Sequence, residues 1–316
     1  MPVDLLDRRL LFVTGKGGVG KTTVAASLGL LGAQRGKRTL VCEVDAKGNL
    51  ADFYESGPTA FAPIQVQKNL WAMSMETEES LKEYLRLQLK VPLLSKIGPL
   101  ARTFDFVATA APGVKEILTV GKLCWEVREN NYDLVVVDAV ASGHVVSQLT
   151  APQAINDLVK VGLVRTQTDW MLEMLDDTAT TGVVIVSAPE EMPVSETLEL
   201  AERLKTETDV DLAAVVVNRV LPELFGRSEE EVFDRLNAPG PAATLSEAVG
   251  GDVQPLLDAA TLAVTLRRTR AGHLNRLRQS LPADLPQLYI PYLFQRAHGV
   301  RAIRQVADAL GQELGF

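Results

Sequence analysis

The sequence predicts an α/β fold: a mostly parallel sheet flanked by helices, with an inserted helical subdomain. Three observations predict it. Strand-sized runs of Val, Ile and Leu recur along the 316-residue chain without polar alternation, the pattern of strands covered on both faces. Helix-period stretches separate those runs, which argues for parallel strands joined by crossover helices. Polar residues gather where the runs end, at Asp45, Asp138 and Asn218, and ligands bind at strand ends in such sheets.

Taken in order, Leu10 to Thr14 is the first apolar run. A glycine-rich stretch follows, then the alanine-rich segment Val24 to Leu31, giving strand, tight loop and helix. Gly36 and Lys37 punctuate before a second strand, Thr39 to Val44, that ends at Asp45. Leu134 to Val137 ends at Asp138, Val183 to Ser187 follows Gly182, and Ala213 to Val217 ends at Asn218. Between the last two, Ser195 to Lys205 carries Leu198, Leu200, Ala201 and Leu204 at helical spacing. The stretch from Glu76 to about Glu129 (roughly 76–130) reads as helices broken at Pro92, Pro99 and Pro112. It is expected to be a helical subdomain set between the second strand and the Asp138 strand.

Leu224 to Leu281 is a second helical stretch, carrying Arg267, Arg268, Arg270, Arg276 and Arg278. Those arginines serve either an acidic partner or simply a solvated helix face. The last helix, Val300 to Leu314, lines up Val300, Ile303, Val306, Ala307 and Leu310. That apolar face is expected to dock on the sheet rather than on a membrane. The whole chain, 1–316, is expected to form one domain carrying these helical additions.

Hydrophobic residues make up 47% of the chain, enough for a large core. The formal net charge of -8 argues against non-specific nucleic-acid binding, which needs a basic surface. Cys42 and Cys124 are the two cysteines; they form no Cys-x-x-Cys pair, so neither a disulfide framework nor a zinc site is expected. The first residues lack the apolar core of a signal peptide, and no run reaches the ~18 apolar residues that span a bilayer. A cytoplasmic protein is expected.

The chemistry is announced by Gly15-Lys16-Gly17-Gly18-Val19-Gly20-Lys21-Thr22, with Thr23 next. This fits the P-loop pattern G-x-x-x-x-G-K-[ST], here in its confirming place after a strand and before a helix. Glycines let consecutive backbone N–H groups point at one phosphate, and the helix N-terminus adds positive potential. Lys21 is expected to reach the β- and γ-phosphates of ATP, and Thr22 to offer its hydroxyl to Mg²⁺. Asp138, at the end of an apolar strand, is the Walker B candidate, acting on Mg²⁺ through water. Asp45 is placed to orient an attacking water. Asn49 and Asp52 follow it as phosphate sensors or cross-dimer contacts. Gly143, within Ser142-Gly143-His144, suits a backbone that pivots on the γ-phosphate. Asn218 can read an adenine edge with its amide, and the loop at Pro291 and Tyr292 can pack against the base.

Lys16, one residue after the first glycine, resembles the signature lysine of the deviant Walker A group, which includes ParA, MinD, nitrogenase iron protein and ArsA-like ATPases. The resemblance implies that Lys16 reaches across a dimer to the partner's nucleotide, as an arginine finger does. Over nearly its whole length the chain looks like the ArsA and guided-entry tail-anchored-protein ATPases, also called anion-transporting ATPases. The carriers are Ser142-Gly143-His144 with Leu149 and Pro152, Pro193 to Glu196 with Thr197, the strand end at Asn218, Pro291 to Gly299, and Pro112-Gly113-Val114-Lys115-Glu116. The resemblance implies a catalytic Asp45 in switch I and an adenine contact from Asn218. It also implies a dimer, either of identical chains or with a paralogous ArsA-like subunit, the chain being most similar to bacterial members that work as such pairs.

Some positions depart from the family pattern: Ala46 stands where Pro is frequent, Gly48 where His is, and Ala141 and Ser142 where Pro and Thr precede Gly-His. Arsenite-binding cysteines and the zinc-clamp Cys-x-x-Cys are missing, so neither arsenite nor zinc is expected as a partner. Only six methionines occur, so a methionine-rich client groove is not evident. The leading expectation is an ATP-driven dimeric switch whose closure reshapes a surface for a protein client or partner. The alternatives are a ParA/MinD-like positioning ATPase on DNA or membrane, since Gly48-Asn49-Leu50 resembles ParA switch I, and a weakly active subunit serving a paralogue.

Overall fold

The computed structural model describes residues 5–45, 48–89, 113–223, 226–236, 238–293 and 299–316. Its strands are β1 (Leu10–Gly15), β2 (Thr39–Glu43), β3 (Ile64–Gln67), β4 (Leu70–Ser74), β5 (Leu134–Asp138), β6 (Thr181–Ser187), β7 (Leu212–Val220) and β8 (Gln287–Pro291). They form one sheet in the order β3-β4-β2-β5-β1-β6-β7-β8. Every pairing is parallel except β3 with β4. The helices are α1 (Lys21–Gln34), α2 (Asn49–Tyr54), α3 (Thr77–Leu89), α4 (Val114–Arg128), α5 (Ser142–Leu158), α6 (Leu163–Asp176), α7 (Glu191–Glu207), α8 (Arg227–Leu236), α9 (Pro239–Val249), α10 (Gln254–Ser280) and α11 (Gly299–Glu313).

The unbroken apolar runs are explained by two cores, one on each face of the sheet. Leu11, Val13, Val41, Val136, Val184 and Val216 point to one core with α1 and α11. Their neighbours Leu10, Phe12, Leu40, Val135, Val137, Ile185 and Val215 point to the other, with α4, α5, α6 and α7. Because both faces are covered, alternate residues are all apolar, as the period-2 geometry of a strand requires. Helix α1 is apolar all round, from Val24 to Ala33, because it is enclosed. It lies against the sheet and against α11, where the Ser27 hydroxyl donates to the Ile303 carbonyl at 3.1 Å. Ile303, Val306, Ala307 and Leu310 are buried in this contact, so the last helix docks as its sequence predicts. Tyr54 donates to the Ala26 carbonyl at 2.8 Å and fixes α2 on the same face.

The connection after β1 runs through α1 towards β2, and the connection after β6 runs through α7 towards β7 on the opposite face. The two neighbouring strands thus send their crossovers apart, and a crevice opens at their carboxyl ends. This crevice receives the glycine-rich loop.

Several sequence expectations need adjusting. The strand Ala213 to Val217 does not stop at Asn218 but continues to Val220. Arg219 adopts φ of 61° and the pairing with β8 shifts register between Val217 and Val220, a bulge that local sequence does not announce. The β3–β4 hairpin and edge strand β8 were not expected. The breaks at Pro92, Pro99 and Pro112 lie outside the described residues, as do Leu224 and Ala46; flanking them, Thr77–Leu89 and Val114–Arg128 are helical. The arginines of α10 are neither free nor simply solvated. Arg267 meets Glu223 (3.6 Å), Arg268 meets Asp234 (3.4 Å) and Arg270 meets Glu190 (3.8 Å). Arg276 donates to the Ser195 hydroxyl at 3.0 Å, and Arg278 to the Tyr289 hydroxyl. Cys42 and Cys124 are buried and not joined in a disulfide, and burial pushes each thiol's pKa up. Among the described residues no helix is long and apolar enough to cross a membrane.

Candidate nucleotide site

The site begins where β1 ends. Gly15 has φ of 142°, and a Cβ there would lie 2.1 Å from the Val186 carbonyl oxygen of β6. A side chain is therefore excluded by the neighbouring backbone as well as by conformation. Gly20 caps α1 at φ of 97°, and its Cβ would sit 2.5 Å from the Asn218 Nδ2. These constraints explain why the turn needs glycine at its two ends. Val19 is buried and anchors the loop, while Gly17 and Gly18 are exposed at its crest. The loop leads directly into α1, whose first N–H groups lack intrahelical acceptors.

Lys21, the first residue of α1, folds back so that Nζ donates to the Lys16 carbonyl at 3.2 Å. Thr22 donates its hydroxyl to Asp138 Oδ2 at 2.7 Å; Thr23 follows, half-buried. Asp138 ends β5 beside β1, in register with Val13 on one side and Glu43 on the other. Burial pushes its carboxyl up to about 6; the Thr22 hydrogen bond and Lys21 pull it down, and Glu43 and Asp45 push it up. The Thr14 hydroxyl donates to the Val140 carbonyl at 2.9 Å and ties the segment after β5 to β1. Asp45 is exposed just past β2, close enough to act electrostatically on Asp138. The structure thus gathers Lys16, Lys21, Thr22, Asp45 and Asp138 at one end of the sheet.

The remaining candidates are distributed around this centre. Asn218 turns its amide onto the loop, with Nδ2 donating to the Val19 carbonyl at 2.9 Å, and its Oδ1 accepts from Arg219 N–H. Tyr292 N–H donates to the Val220 carbonyl at 2.8 Å, which sets Pro291 and Tyr292 beside the end of β7. Gly143 and His144 are exposed in the first turn of α5, with open space around Gly143. Asp52 is exposed on α2. Asn49 opens α2 and is bound to its own chain: its N–H and Nδ2 both donate to Glu43 Oε1, at 3.1 and 3.0 Å.

Two acidic residues of the site were missed in the sequence. Glu43, only 1% exposed, sits inside an apolar strand two residues before Asp45; an acid in such a run was the available signal. Glu196, on α7, forms a part-buried ion pair with the Lys16 ammonium and accepts from the Ser142 hydroxyl at 3.4 Å. No local signal announces a contact made across 180 residues.

A cation fits this donor set. Asp138 Oδ1 and Glu43 Oε2 are both buried without a hydrogen-bond partner, a costly state that a positive charge relieves. Among the described residues no group of three or more His, Cys, Asp or Glu could hold a metal by itself. Any ion here needs further ligands from outside the chain, as Mg²⁺ takes from phosphates and water.

Comparison with known proteins agrees with this geometry. The family described as anion-transporting ATPase matches residues 8–169 and 160–235. The ATPase BagA of Mycobacterium tuberculosis is 31% identical over 232 residues, covering 70% of this chain and 68% of that protein. The ATPase ASNA1 homolog 1 of Paramecium tetraurelia is 29% identical, covering 67% and 74%. A putative arsenical pump-driving ATPase of Halobacterium salinarum is 29% identical over 80% of this chain but only 44% of its own length. With a parallel sheet, a phosphate-type loop at its switch point and these relatives, the chain belongs to the anion-transporting (ArsA) ATPase family and is a nucleotide-binding ATPase.

Proposed function

We propose that this chain binds Mg·ATP and hydrolyses it as one half of a dimeric switch, coupling dimer closure to a protein partner or client. The observation that carries the reading is the meeting of Lys21, Thr22 and Asp138 beneath a loop that only glycine can form at Gly15 and Gly20. Backbone N–H groups from Gly17 to Thr23 would cradle the phosphates. Lys21 would leave the Lys16 carbonyl for the β- and γ-phosphates. Thr22 would hold Mg²⁺ directly and Asp138 through water. Bound there, Mg²⁺ would supply charge neutralisation to the β- and γ-phosphate oxygens.

In hydrolysis a water oxygen bonds to the γ-phosphorus while the bond from that phosphorus to the β–γ bridging oxygen breaks, leaving ADP with the electron pair. Asp45 would orient that water and take its proton. Gly143 would follow the departing phosphate, and Asn218 with Pro291 and Tyr292 would hold the base. Lys16 is engaged by Glu196 of its own chain. Closure would exchange that carboxylate for the partner's phosphates, placing positive charge where the transition state needs it. The partner is a second copy or a paralogous subunit.

Exposed Leu256, Leu262 and Leu266 on α10, with Leu158 at the end of α5 and Val161 just beyond it, supply apolar surface for contacts with other proteins. We read the chain as one ATPase domain with helical additions at about 76–130 and 224–281, working in the cytoplasm, where two buried free thiols stay reduced.

ATP hydrolysis and oligomeric mass test the reading in wild type, Lys16→Ala and Asp45→Asn. Wild type is expected to dimerise with ATP and turn over, while both variants bind ATP and stall. A wild-type chain that hydrolyses ATP as a monomer would contradict the dimeric switch. A chain that binds ATP and stays monomeric and idle would turn the search to a paralogous subunit.

A further inference from the structure

We propose that Glu43 and Asp138 together form the cation seat of this site, with Glu43 as a second carboxylate towards the divalent ion and as its link to Asn49 at the start of α2. The inference rests on the Mg·nucleotide reading above.

Glu43 and Asp138 are register partners on adjacent parallel strands, so their side chains leave the sheet on the same face. Both are more than nine-tenths buried, at 1% and 6% exposure. Each carboxylate has one oxygen committed: Asp138 Oδ2 accepts from the Thr22 hydroxyl at 2.7 Å, and Glu43 Oε1 accepts both Asn49 bonds. The other oxygen of each, Asp138 Oδ1 and Glu43 Oε2, is buried with no hydrogen-bond partner. Two neighbouring buried carboxylates with an orphan oxygen apiece are mutually repulsive and poorly solvated. A hydrated divalent cation relieves both faults, because its charge offsets theirs and its water shell donates to both orphan oxygens.

The role of Glu43 towards Asn49 alone does not require a charge. A glutamine would accept the same two hydrogen bonds through its carbonyl oxygen. What the carboxylate adds is the second, anionic oxygen, and that is the atom left without a partner. The arrangement also gives the ion a route to switch I: one carboxylate group touches the cation's surroundings with Oε2 and holds the first residue of α2 with Oε1.

The test titrates Mn²⁺ by electron paramagnetic resonance, with ADP present, on the full chain as wild type and Glu43→Gln. ADP affinity in EDTA is measured alongside by calorimetry. Glu43→Gln is expected to weaken Mn²⁺ uptake roughly ten- to hundredfold while metal-free ADP binding stays unchanged. Glu43→Gln removes one of two adjacent buried charges, so its melting temperature in EDTA is expected to equal or exceed that of wild type. The proposal is overturned if Glu43→Gln takes up Mn²⁺ like wild type or melts lower in EDTA. Each of those results leaves the nucleotide reading standing. Wild type that binds neither ADP nor Mn·ADP would overturn both.

Discussion

The carboxyl end of the central strands and the α8–α10 segment are held together by different kinds of interaction. At the strand ends polar side chains are matched to particular partners, Thr22 with Asp138, Asn49 with Glu43, Asn218 with Val19 and Lys16 with Glu196, and two carboxylate oxygens are left over. Glu43, Asp138 and Val19 are buried and the others half-buried, so a substitution that leaves a partner orphaned is costly there. In α8–α10 a small core of Phe233, Val253, Leu257 and Val264 holds helices that leave Val249, Leu256, Leu262 and Leu266 exposed. The last turns of α10 join the sheet's core through Leu274 and Leu277, and the remainder is tied to the rest by arginine contacts at its rim, which are individually weak. The first region is specified atom by atom and the second by pattern, so the two should respond very differently to substitution.

The largest difference is expected in activity. Lys21→Ala should reduce ATP turnover about a hundredfold or more, since it removes the charge placed on the transferring phosphoryl group; steady-state phosphate release measures it. In stability, the contrast is sharpest between two glycines with positive φ. Gly15→Ala forces a Cβ to 2.1 Å from a backbone oxygen and should cost about 3 kcal/mol or more, or prevent folding. Gly250→Ala, at φ of 69° with open space around it, should cost only about 1 kcal/mol. Urea unfolding compares the two, and equal costs would remove the distinction between the regions.

The pH dependence is expected from Asp138. Its folded value of about 6 lies above the ordinary 3.8, so between those values the folded chain holds a proton that the unfolded chain has released. Stability from this group therefore falls as pH rises through that window. The penalty is absent below about pH 4 and complete above about pH 6, where it amounts to roughly 3 kcal/mol. In metal-free buffer Asp138→Asn should be more stable than wild type at pH 8 and no more stable at pH 4, as thermal melts would show. The smallest effect is expected for Leu262→Ser on α10, within about 0.5 kcal/mol of wild type, because its side chain is 60% exposed.

What was legible in the sequence follows the same division. The central strands could be read because two covered faces demand unbroken Val, Ile and Leu. The loop could be read because its glycines answer to clashes with Val186 and Asn218. The β3–β4 hairpin was missed: its turn rests on Asn69 at φ of 61°, and Ile64-Gln65-Val66-Gln67 alternates over too short a run to stand out. Edge strand β8 is short and ends on Pro291, which reads as a break, so its residues give no strand signal. The continuation of β7 past Asn218 depends on a register shift against β8, which no local pattern encodes. Among candidate site residues, those inside the P-loop pattern carry a local signal. Glu43 was hidden in a strand, and Glu196 reaches Lys16 only through the tertiary fold.

The central claim, that each active site borrows Lys16 from the other subunit, is tested most directly by mixing two inactive variants, Lys16→Ala and Asp45→Asn. A mixed dimer would hold one site with both an intact Asp45 and a partner's intact Lys16. Random exchange of subunits should then restore roughly a quarter of wild-type turnover. A mixture as inactive as its components, beside an active wild type, would mean that Lys16 serves its own chain's nucleotide and would contradict the account.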